Sequence, residues 1–327
     1  MYTSYIGKKF LKLYNQKEQQ NLTARQFFDK IMFPVFFDDA RHLMHVGNSP
    51  FFQKPSPKLL KTGILKQQAQ LQKLHADIEN EPPNMAIYVG YAAKDIDGTT
   101  SGQQTEMDIK IDQEEMYASW IGEALGIGVS GGLVILTDKE EVLYTIFCGW
   151  KHYRDYLSQT PNVKDKQIET WNGHWLCQFV NKDINSDEIP EKINFETTEV
   201  QGNLAIPTKA WSEVIFAIAK KYPAEELLVY IYNLSQTNTT LGFIKLYLPQ
   251  IQRLFELRDR IFIDKNETVL NDKEISQLET FYNLRNACKI GTIGLKAMEP
   301  KGLRMYLPIG TYMYAQGKPF KTIKIHF

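Results

Sequence analysis

The sequence predicts an α+β protein of mixed helices and short sheets, with no Rossmann or TIM-barrel pattern. Three observations lead to this class. Segments with a helical apolar period of 3.6 residues alternate irregularly with short β-rich runs, and no segment repeats at a fixed period. The one glycine-rich motif follows a helical pattern instead of a strand. The 327 residues are 43% hydrophobic and 23% charged, which is typical of a globular chain.

The first 80 residues are predicted to be mainly helical. Thr23 and Gln26 have the spacing of a capping box that opens a helix. We expect Pro34 to interrupt that helix, so that residues 31–37 form a buried turn or a short strand. A second helix is predicted to end at Pro82. Its apolar stripe consists of Leu60, Ile64, Leu71, Leu74 and Ile78.

The middle of the chain alternates between strand and helix patterns. The predicted elements are, in order, strands at 85–91 and 105–111, a helix at 114–125, a hairpin of 133–136 with 142–147, a short helix at 151–157, and a mixed segment at 171–180 that is strand-like at its end.

The acidic stretch that follows predicts a division of the chain. We expect a loop or junction at 181–199 between an N-terminal α/β region, residues 1–180, and a C-terminal α+β region, residues 200–327. In the second region Thr208 is expected to cap a helix. The elements predicted after that helix are a strand at 227–234, a polar loop at 235–240, a helix at 249–263, a further helix opening at Asn271 and an edge strand at 322–327.

Composition excludes several classes of protein. The 38 basic and 38 acidic side chains balance, so the chain is not a strongly basic nucleic-acid protein. The 3 cysteines contain no CxxC pair, which excludes a disulfide framework and a cysteine-rich zinc site. The chain has no apolar run long enough to span a membrane and no signal peptide at its start, so we expect a cytoplasmic protein without membrane contact.

The charges are nevertheless segregated along the chain. Residues 40–76 contain no acid and carry a local charge of about +6 by direct counting, whereas residues 77–115 are mainly acidic. The stretch from Lys289 onward is basic again. Two basic segments could form one surface that attracts phosphates, or they could pair with the acidic segment in the fold.

Residues 126–131 match the GxGxxG pattern of dinucleotide sites. Such a site needs a strand before the glycines and a helix after them. Here the order is inverted, so the pattern favours a tight helix-to-strand turn. A nucleic-acid backbone approaching these glycines is the alternative.

Asp97, Asp108 and Lys110 resemble the PD-(D/E)xK pattern of restriction-type nucleases. That resemblance implies that Asp97 and Asp108 hold Mg²⁺ and that Lys110 helps to activate water. An exposed hairpin is the alternative, and no other cofactor is expected. His42 and His45, beside Asp38 and Asp39, have the spacing of two metal ligands but lack a third.

Polar and basic residues along the chain predict contacts with nucleic acid. Cations bind phosphates, and hydroxyls and amides bind phosphates or base edges. The candidates are Lys58, Lys61, Lys66, Thr100, Gln103, Lys151, Arg154, Gln236, Asn238, Lys321 and Lys324. Trp150, Trp171 and Trp175 near Lys151 could stack on unpaired bases or could lie in the core.

Residues 228–244, a strand-like run followed by Ser235-Gln236-Thr237-Asn238, resemble a stretch in large subunits of CRISPR surveillance complexes. That resemblance implies a subunit that binds nucleic acid without cutting it. The leading interpretation is therefore a nucleic-acid-binding protein of a prokaryotic antiviral defence system, acting with other protein subunits in an RNA-guided complex. The alternatives are the Mg²⁺-dependent nuclease and a protein-interaction module. The sequence does not decide whether the ligand is DNA or RNA, or whether the protein catalyses a reaction.

Overall fold

The computed structural model describes residues 1–60, 63–92, 105, 110–182, 195–233 and 240–249. Within them the fold is α+β, as predicted, with helices and two small sheets. The chain divides into two compact units, residues 1–209 with 230–240, and residues 210–229 with 241–327. None of the helices in these described ranges has the length and apolar character needed to cross a bilayer.

The first unit is built on a close crossing of two helices, α1 (Tyr2–Lys17) and α5 (Gln113–Ala124). A Cβ atom on Gly7 would lie 1.8 Å from the Ala118 carbonyl oxygen. A Cβ atom on Gly122 would lie 1.9 Å from the Thr3 carbonyl oxygen. The two backbones therefore touch directly, and only glycine fits at these two positions.

The capping box at Thr23 is confirmed. The Thr23 hydroxyl accepts a hydrogen bond from the Gln26 backbone, the Gln26 side chain accepts one from the Thr23 backbone, and α2 (Ala24–Phe27) follows. The expected break at Pro34 is wrong, because a π-helix (Phe28–Phe37) runs through that proline. Buried aromatic side chains hold this segment in the core despite the missing N–H group. They are Phe28, Phe33, Phe36 and Phe37.

The second predicted helix is shorter than its apolar pattern suggested. A 3₁₀ turn (Pro50–Phe52) and the short α3 (Pro57–Leu60) precede α4 (Lys66–Asn80). Leu60 and Ile64 thus lie outside α4, and its buried stripe contains Leu71, Leu74 and Ile78. The helix ends before Pro82, as predicted.

The strand predicted at residues 85–91 is wrong. The Asn84 side chain accepts a hydrogen bond from the Ala86 N–H group at 2.9 Å, and the Asn84 carbonyl accepts one from Tyr88 at 2.9 Å, so the chain turns. The segment is anchored to α5, where the Trp120 indole donates to the Ile87 carbonyl at 3.0 Å. The strand predicted at 105–111 lies mostly outside the described residues.

After α5, the strands β1 (Ile127–Val129) and β2 (Leu133–Thr137) pair antiparallel across two glycines with positive φ, Gly131 and Gly132. The predicted pairing of 133–136 with 142–147 is wrong, because residues 142–147 belong to the long helix α6 (Glu140–Gln159). Buried residues recur along α6 at helical spacing, which the short apolar run concealed.

The strand-like end predicted for residues 171–180 is also wrong. These residues lie in or directly after the helix α7 (Ile168–Phe179), which is buried along most of its length. A hairpin of β3 (Thr198–Val200) and β4 (Asn203–Ala205) follows in the same unit.

The remaining described elements are α8 (Trp211–Lys221), β5 (Glu226–Asn233) and β6 (Thr240–Tyr247). The larger sheet has the strand order β1-β2-β5-β6. The helix predicted after Thr208 and the strand predicted at 227–234 are confirmed, but α8 begins after Ala210, so Thr208 is not its cap. The polar loop at 235–239 and the elements predicted beyond residue 249 lie outside the described residues.

Candidate nucleic-acid interface

Much of the interface predicted from sequence falls where the structure gives no description. The residues concerned are Asp97, Asp108, Lys61, Thr100, Gln103, Gln236, Asn238, Lys321 and Lys324. Of the three predicted nuclease residues, only Lys110 has a described position. It is exposed and lies shortly before α5. The nuclease interpretation stays a prediction.

Three predicted contact lysines have described positions. Lys58 lies in α3, Lys66 begins α4, and Lys151 lies in the middle of α6. Lys66 and Lys151 are exposed, and neither takes part in an ion pair with another described residue. Their ammonium groups are therefore available to phosphates.

The guanidinium groups of Arg154 and Arg41 donate hydrogen bonds to backbone carbonyls of this chain. The Arg154 guanidinium donates to the Val35 carbonyl at 2.6 Å and to the Arg41 carbonyl at 3.0 Å. Burial lowers the pKa of Arg154. Arg41 in turn donates to carbonyls at the end of α6, including that of Pro161 at 3.0 Å. We therefore assign both guanidinium groups to holding the fold, and Arg41 is one positive charge fewer that residues 40–76 can offer to a ligand.

The three tryptophans near Lys151 lie in the core. Trp150 is 1% exposed, and Trp171 and Trp175 are 0% exposed. The Trp171 indole donates to the Gly149 carbonyl at 2.9 Å, and the Trp175 indole donates to the Thr145 carbonyl at 2.7 Å. None of the three rings can stack on a base without unfolding.

The glycine motif is a helix-to-strand turn, as predicted. Gly126 and Gly128 are both buried. A Cβ atom on Gly128 would lie 2.9 Å from the carbonyl carbon of Glu169 in α7. Gly128 therefore serves close packing of α7 on β1, and a nucleic-acid backbone cannot reach Gly126 or Gly128; the third glycine of the motif, Gly131, is exposed in the turn between β1 and β2.

The two histidines at metal-ligand spacing belong to an aromatic cluster. His42 is 7% exposed and packs against Phe37, Phe51 and Phe52, while His45 packs against Phe52. Burial, followed by the charge of Lys166, lowers the pKa of both imidazoles. In the described ranges, no group of three or more histidine, cysteine, aspartate or glutamate side chains is placed to hold a metal ion.

The structure also shows a shallow surface cleft, lined mainly by polar residue types, that the sequence did not suggest. It has a volume of about 460 Å³ and lies beside the second half of α1, the turn after it and the start of α5. We call it the α1 cleft. Its lining residues are Lys8, Leu11, Lys12, Asn15, Gln16, Gln20, Asn21 and Glu114.

Hydrogen bonds hold the walls of the α1 cleft in place. The Asn15 side chain donates to the Leu22 carbonyl at 2.9 Å and accepts from the Leu22 N–H group at 3.0 Å. The Glu114 carboxylate accepts from the Ala24 N–H group at 2.8 Å. The turn after α1 is thereby fixed to both ends of the cleft before any ligand binds.

The α1 cleft combines two lysines with amides and one carboxylate, Glu114. Lys8 pairs with Glu115, whereas Lys12 is exposed and forms no ion pair with the described residues. Four neutral amides line the rest of the cleft, so it offers both donors and acceptors beside an ammonium group. Its lining comes from two segments about 100 residues apart, which explains why no local motif marked it.

Comparison with known proteins gives no match: no family model, no curated protein and no solved structure is similar to this chain. The described groups that remain open to an anionic ligand are thus identified by geometry. Among them are the α1 cleft with Lys12, and the exposed lysines Lys66 and Lys151.

Proposed function

We propose that the protein binds nucleic acid, with an unpaired segment of the strand in the α1 cleft. The observation that carries this proposal is the combination of Lys12 with the amide side chains of Gln16, Gln20 and Asn21 in one open cleft. An ammonium group binds a phosphate, and amides bind base edges, which are accessible in single strands. The cleft is open to solvent, so a single strand can enter it from the surface.

Lys66 and Lys151 provide further phosphate contacts in this proposal. Both are exposed lysines on helices, and such contacts add affinity without sequence preference. The predicted contacts beyond the described residues, among them Lys321 and Lys324, belong to the same proposal.

We further propose that the protein acts in the cytoplasm as a non-catalytic subunit of an RNA-guided antiviral complex. The resemblance of residues 228–244 to large subunits of CRISPR surveillance complexes supports this more specific role. Its natural partners would then be a guide RNA and other protein subunits.

Fluorescence anisotropy with labelled single-stranded DNA, single-stranded RNA and duplex DNA tests the proposal. We expect binding that weakens steeply between about 50 and 200 mM salt, because counterions are released from the phosphates. We also expect a single strand to bind more tightly than a duplex of equal length. Absence of binding at low salt, both for the protein alone and with co-purified partners, would refute the proposal.

A pair of variants localises the binding. Lys12→Ala is expected to weaken single-strand binding and to reduce the salt slope by about 0.7, the value for one lost phosphate contact. Lys30→Ala removes an exposed lysine of the π-helix, outside the α1 cleft, and is expected to leave the slope unchanged. Equal losses in the two variants would show that binding depends on overall charge and not on the cleft.

A further inference from the structure

Two glutamates without a positive partner lie buried beside strand β1. Glu123, near the end of α5, is 6% exposed, and Glu169, in the first turn of α7, is 8% exposed. Neither takes part in the salt bridges of the described residues. Glutamate is rarely buried to this extent unless a cation or a donor accompanies it.

The fold brings the two acids together through close glycine contacts. A Cβ atom on Gly128 would lie 3.1 Å from the Cβ of Glu169, so α7 packs directly on β1. A Cβ atom on Gly126 would lie 3.3 Å from the Tyr232 hydroxyl. The end of α5, the start of α7 and the tyrosine of β5 therefore converge on residues 126–128.

This cluster contains more hydrogen-bond acceptors than donors. The amide nitrogen of Asn172, one turn after Glu169, donates to the carbonyls of Ala124 and Gly126, at 2.8 Å in each case. Its Oδ1 atom, an acceptor, is buried and has no hydrogen-bond partner among the described residues. The buried Tyr232 hydroxyl is a donor, but it carries a single proton and can satisfy only one acceptor. A proton on a carboxyl group would supply a missing donor.

Among the residues that the structure describes, no cationic side chain forms an ion pair with either acid. The strands β1 and β2 carry no titratable residue. The other titratable side chains that α1, α6, α7 and β5 bring near are Tyr2, Tyr153, His174 and Tyr230. The tyrosines are neutral, and His174 contacts the Pro207 carbonyl through Nε2.

We propose that Glu123 and Glu169 form a proton-binding site, which holds a proton within the cluster at neutral pH and releases it to solvent as the pH rises. The proton leaves a carboxyl oxygen, and the two negative charges that remain repel each other inside the core. The contact of α7 and Tyr232 with residues 126–128 then weakens. This site is independent of the proposed nucleic-acid binding.

The electrostatics agree with this geometry. Burial raises the pKa of Glu123 to about 7, with a smaller opposing contribution from Tyr232. Burial, followed by the charge of Glu123, raises the pKa of Glu169 to about 8. The positive end of the α7 dipole favours a charged Glu169, but burial outweighs it.

The experiment measures unfolding by urea from pH 5 to pH 9 for the wild type, Glu123→Gln, Glu169→Gln and the double variant. We expect the wild-type unfolding equilibrium constant to rise by up to tenfold per pH unit for each titrating group. The double variant is expected to lose this dependence around neutral pH. Glu199→Gln, which changes an exposed glutamate of β3, is the matched control and should keep the wild-type profile.

A second measurement keeps the proposal testable if a variant fails to fold. Infrared spectroscopy of the folded wild type should show a protonated carboxyl signal at pH 6 that is lost by pH 9. Fully ionised carboxylates at pH 6, or equal pH profiles for the double variant and the control, would overturn the proposal. Stabilisation of the wild type at pH 9 by Mg²⁺ or Ca²⁺ would also overturn it, because a cation would then be the occupant.

Discussion

Helix α5 carries two glutamates in opposite circumstances, Glu115 in its first turn and Glu123 near its end. Glu115 accepts hydrogen bonds from Ser4 at 2.6 Å and from Tyr88 at 3.1 Å, and it pairs with Lys8. Burial raises its pKa, but these partners outweigh burial and hold the pKa below the ordinary value. Burial of Glu123 is opposed by the smaller effect of the Tyr232 hydroxyl, and the pKa of Glu123 rises to about 7. The set of donors, and not the helix, decides the charge of each acid.

The α1–α5 crossing and the β1–α7 contact also differ in how closely the backbones approach. At the crossing with α1, backbone faces backbone, and an added Cβ would come within 1.9 Å of an oxygen. At the β1–α7 contact the corresponding distance is 2.9 Å. The first contact is thus dense and satisfied in its hydrogen bonds, whereas the second is less tight and contains unpartnered polar atoms. The following predictions test this contrast.

The largest effect is expected for Gly7→Ala. Its Cβ would collide with the Ala118 carbonyl, so α1 and α5 must separate, and we expect a loss of about 3 kcal/mol or more in the free energy of unfolding. Gly128→Ala should cost less, about 1–3 kcal/mol. Urea denaturation followed by circular dichroism measures both. Gly47→Ala is the control, since its nearest neighbour is the His45 ring at 3.4 Å. A Gly7→Ala variant as stable as this control would contradict the close crossing.

Replacing each glutamate by glutamine should change stability in opposite directions at pH 8. Glu115→Gln is expected to cost about 1–2 kcal/mol, because charge-assisted hydrogen bonds are lost. Glu123→Gln is expected to stabilise, because the wild-type carboxyl is then charged in the core. Urea titrations at pH 8 give both signs. Destabilisation by both substitutions would show that the charge of Glu123 is compensated.

The same two acids predict opposite responses to pH. The pKa of Glu115 is lowered on folding, so its contribution to stability is present above pH 4.5 and is lost on acidification. The pKa of Glu123 is raised, so its contribution is lost as the pH rises from about 4.5 through about 7. Stability profiles of Glu115→Gln and Glu123→Gln should therefore depart from the wild type at opposite ends of the pH range.

The smallest effect concerns two tyrosine hydroxyls. Tyr88→Phe removes a group that bonds to Ser4 at 2.9 Å and to Glu115, and it should cost about 1 kcal/mol. Tyr232→Phe removes a hydroxyl without a hydrogen bond of good geometry and should change stability by less than about 0.5 kcal/mol. Thermal unfolding of the two variants measures both changes in stability. A larger loss of stability for Tyr232→Phe than for Tyr88→Phe would contradict the prediction.

Sequence patterns predicted the elements that depend on local chemistry. The capping box at Thr23 and the strand β5 required only neighbouring residues. The break at Pro34 failed because buried phenylalanines hold a π-helix through it. The hairpin over 133–147 failed because a short apolar run fits a strand as well as one face of α6.

The candidate sites were harder to predict than the fold. The α1 cleft combines residues from α1 with Glu114, and no local pattern connects them. Glu123 and Glu169 are 46 residues apart and belong to no motif. One signal was available, since each acid interrupts a largely apolar helical stretch, between Ile121 and Ala124 and between Ile168 and Trp171. Pairing them requires the contact of α7 with β1, which only the fold reveals.

The burial of tryptophan gives this protein an internal optical reporter. Of the 5 tryptophans, Trp120, Trp150, Trp171 and Trp175 are all fully buried. Their fluorescence should lie at short wavelength in the folded chain and shift to longer wavelength when water reaches the indoles. A nucleic acid that binds on the surface should leave the emission of these four tryptophans unchanged, because it cannot touch their rings. Intrinsic fluorescence therefore separates ligand binding from loss of structure in a single unlabelled sample.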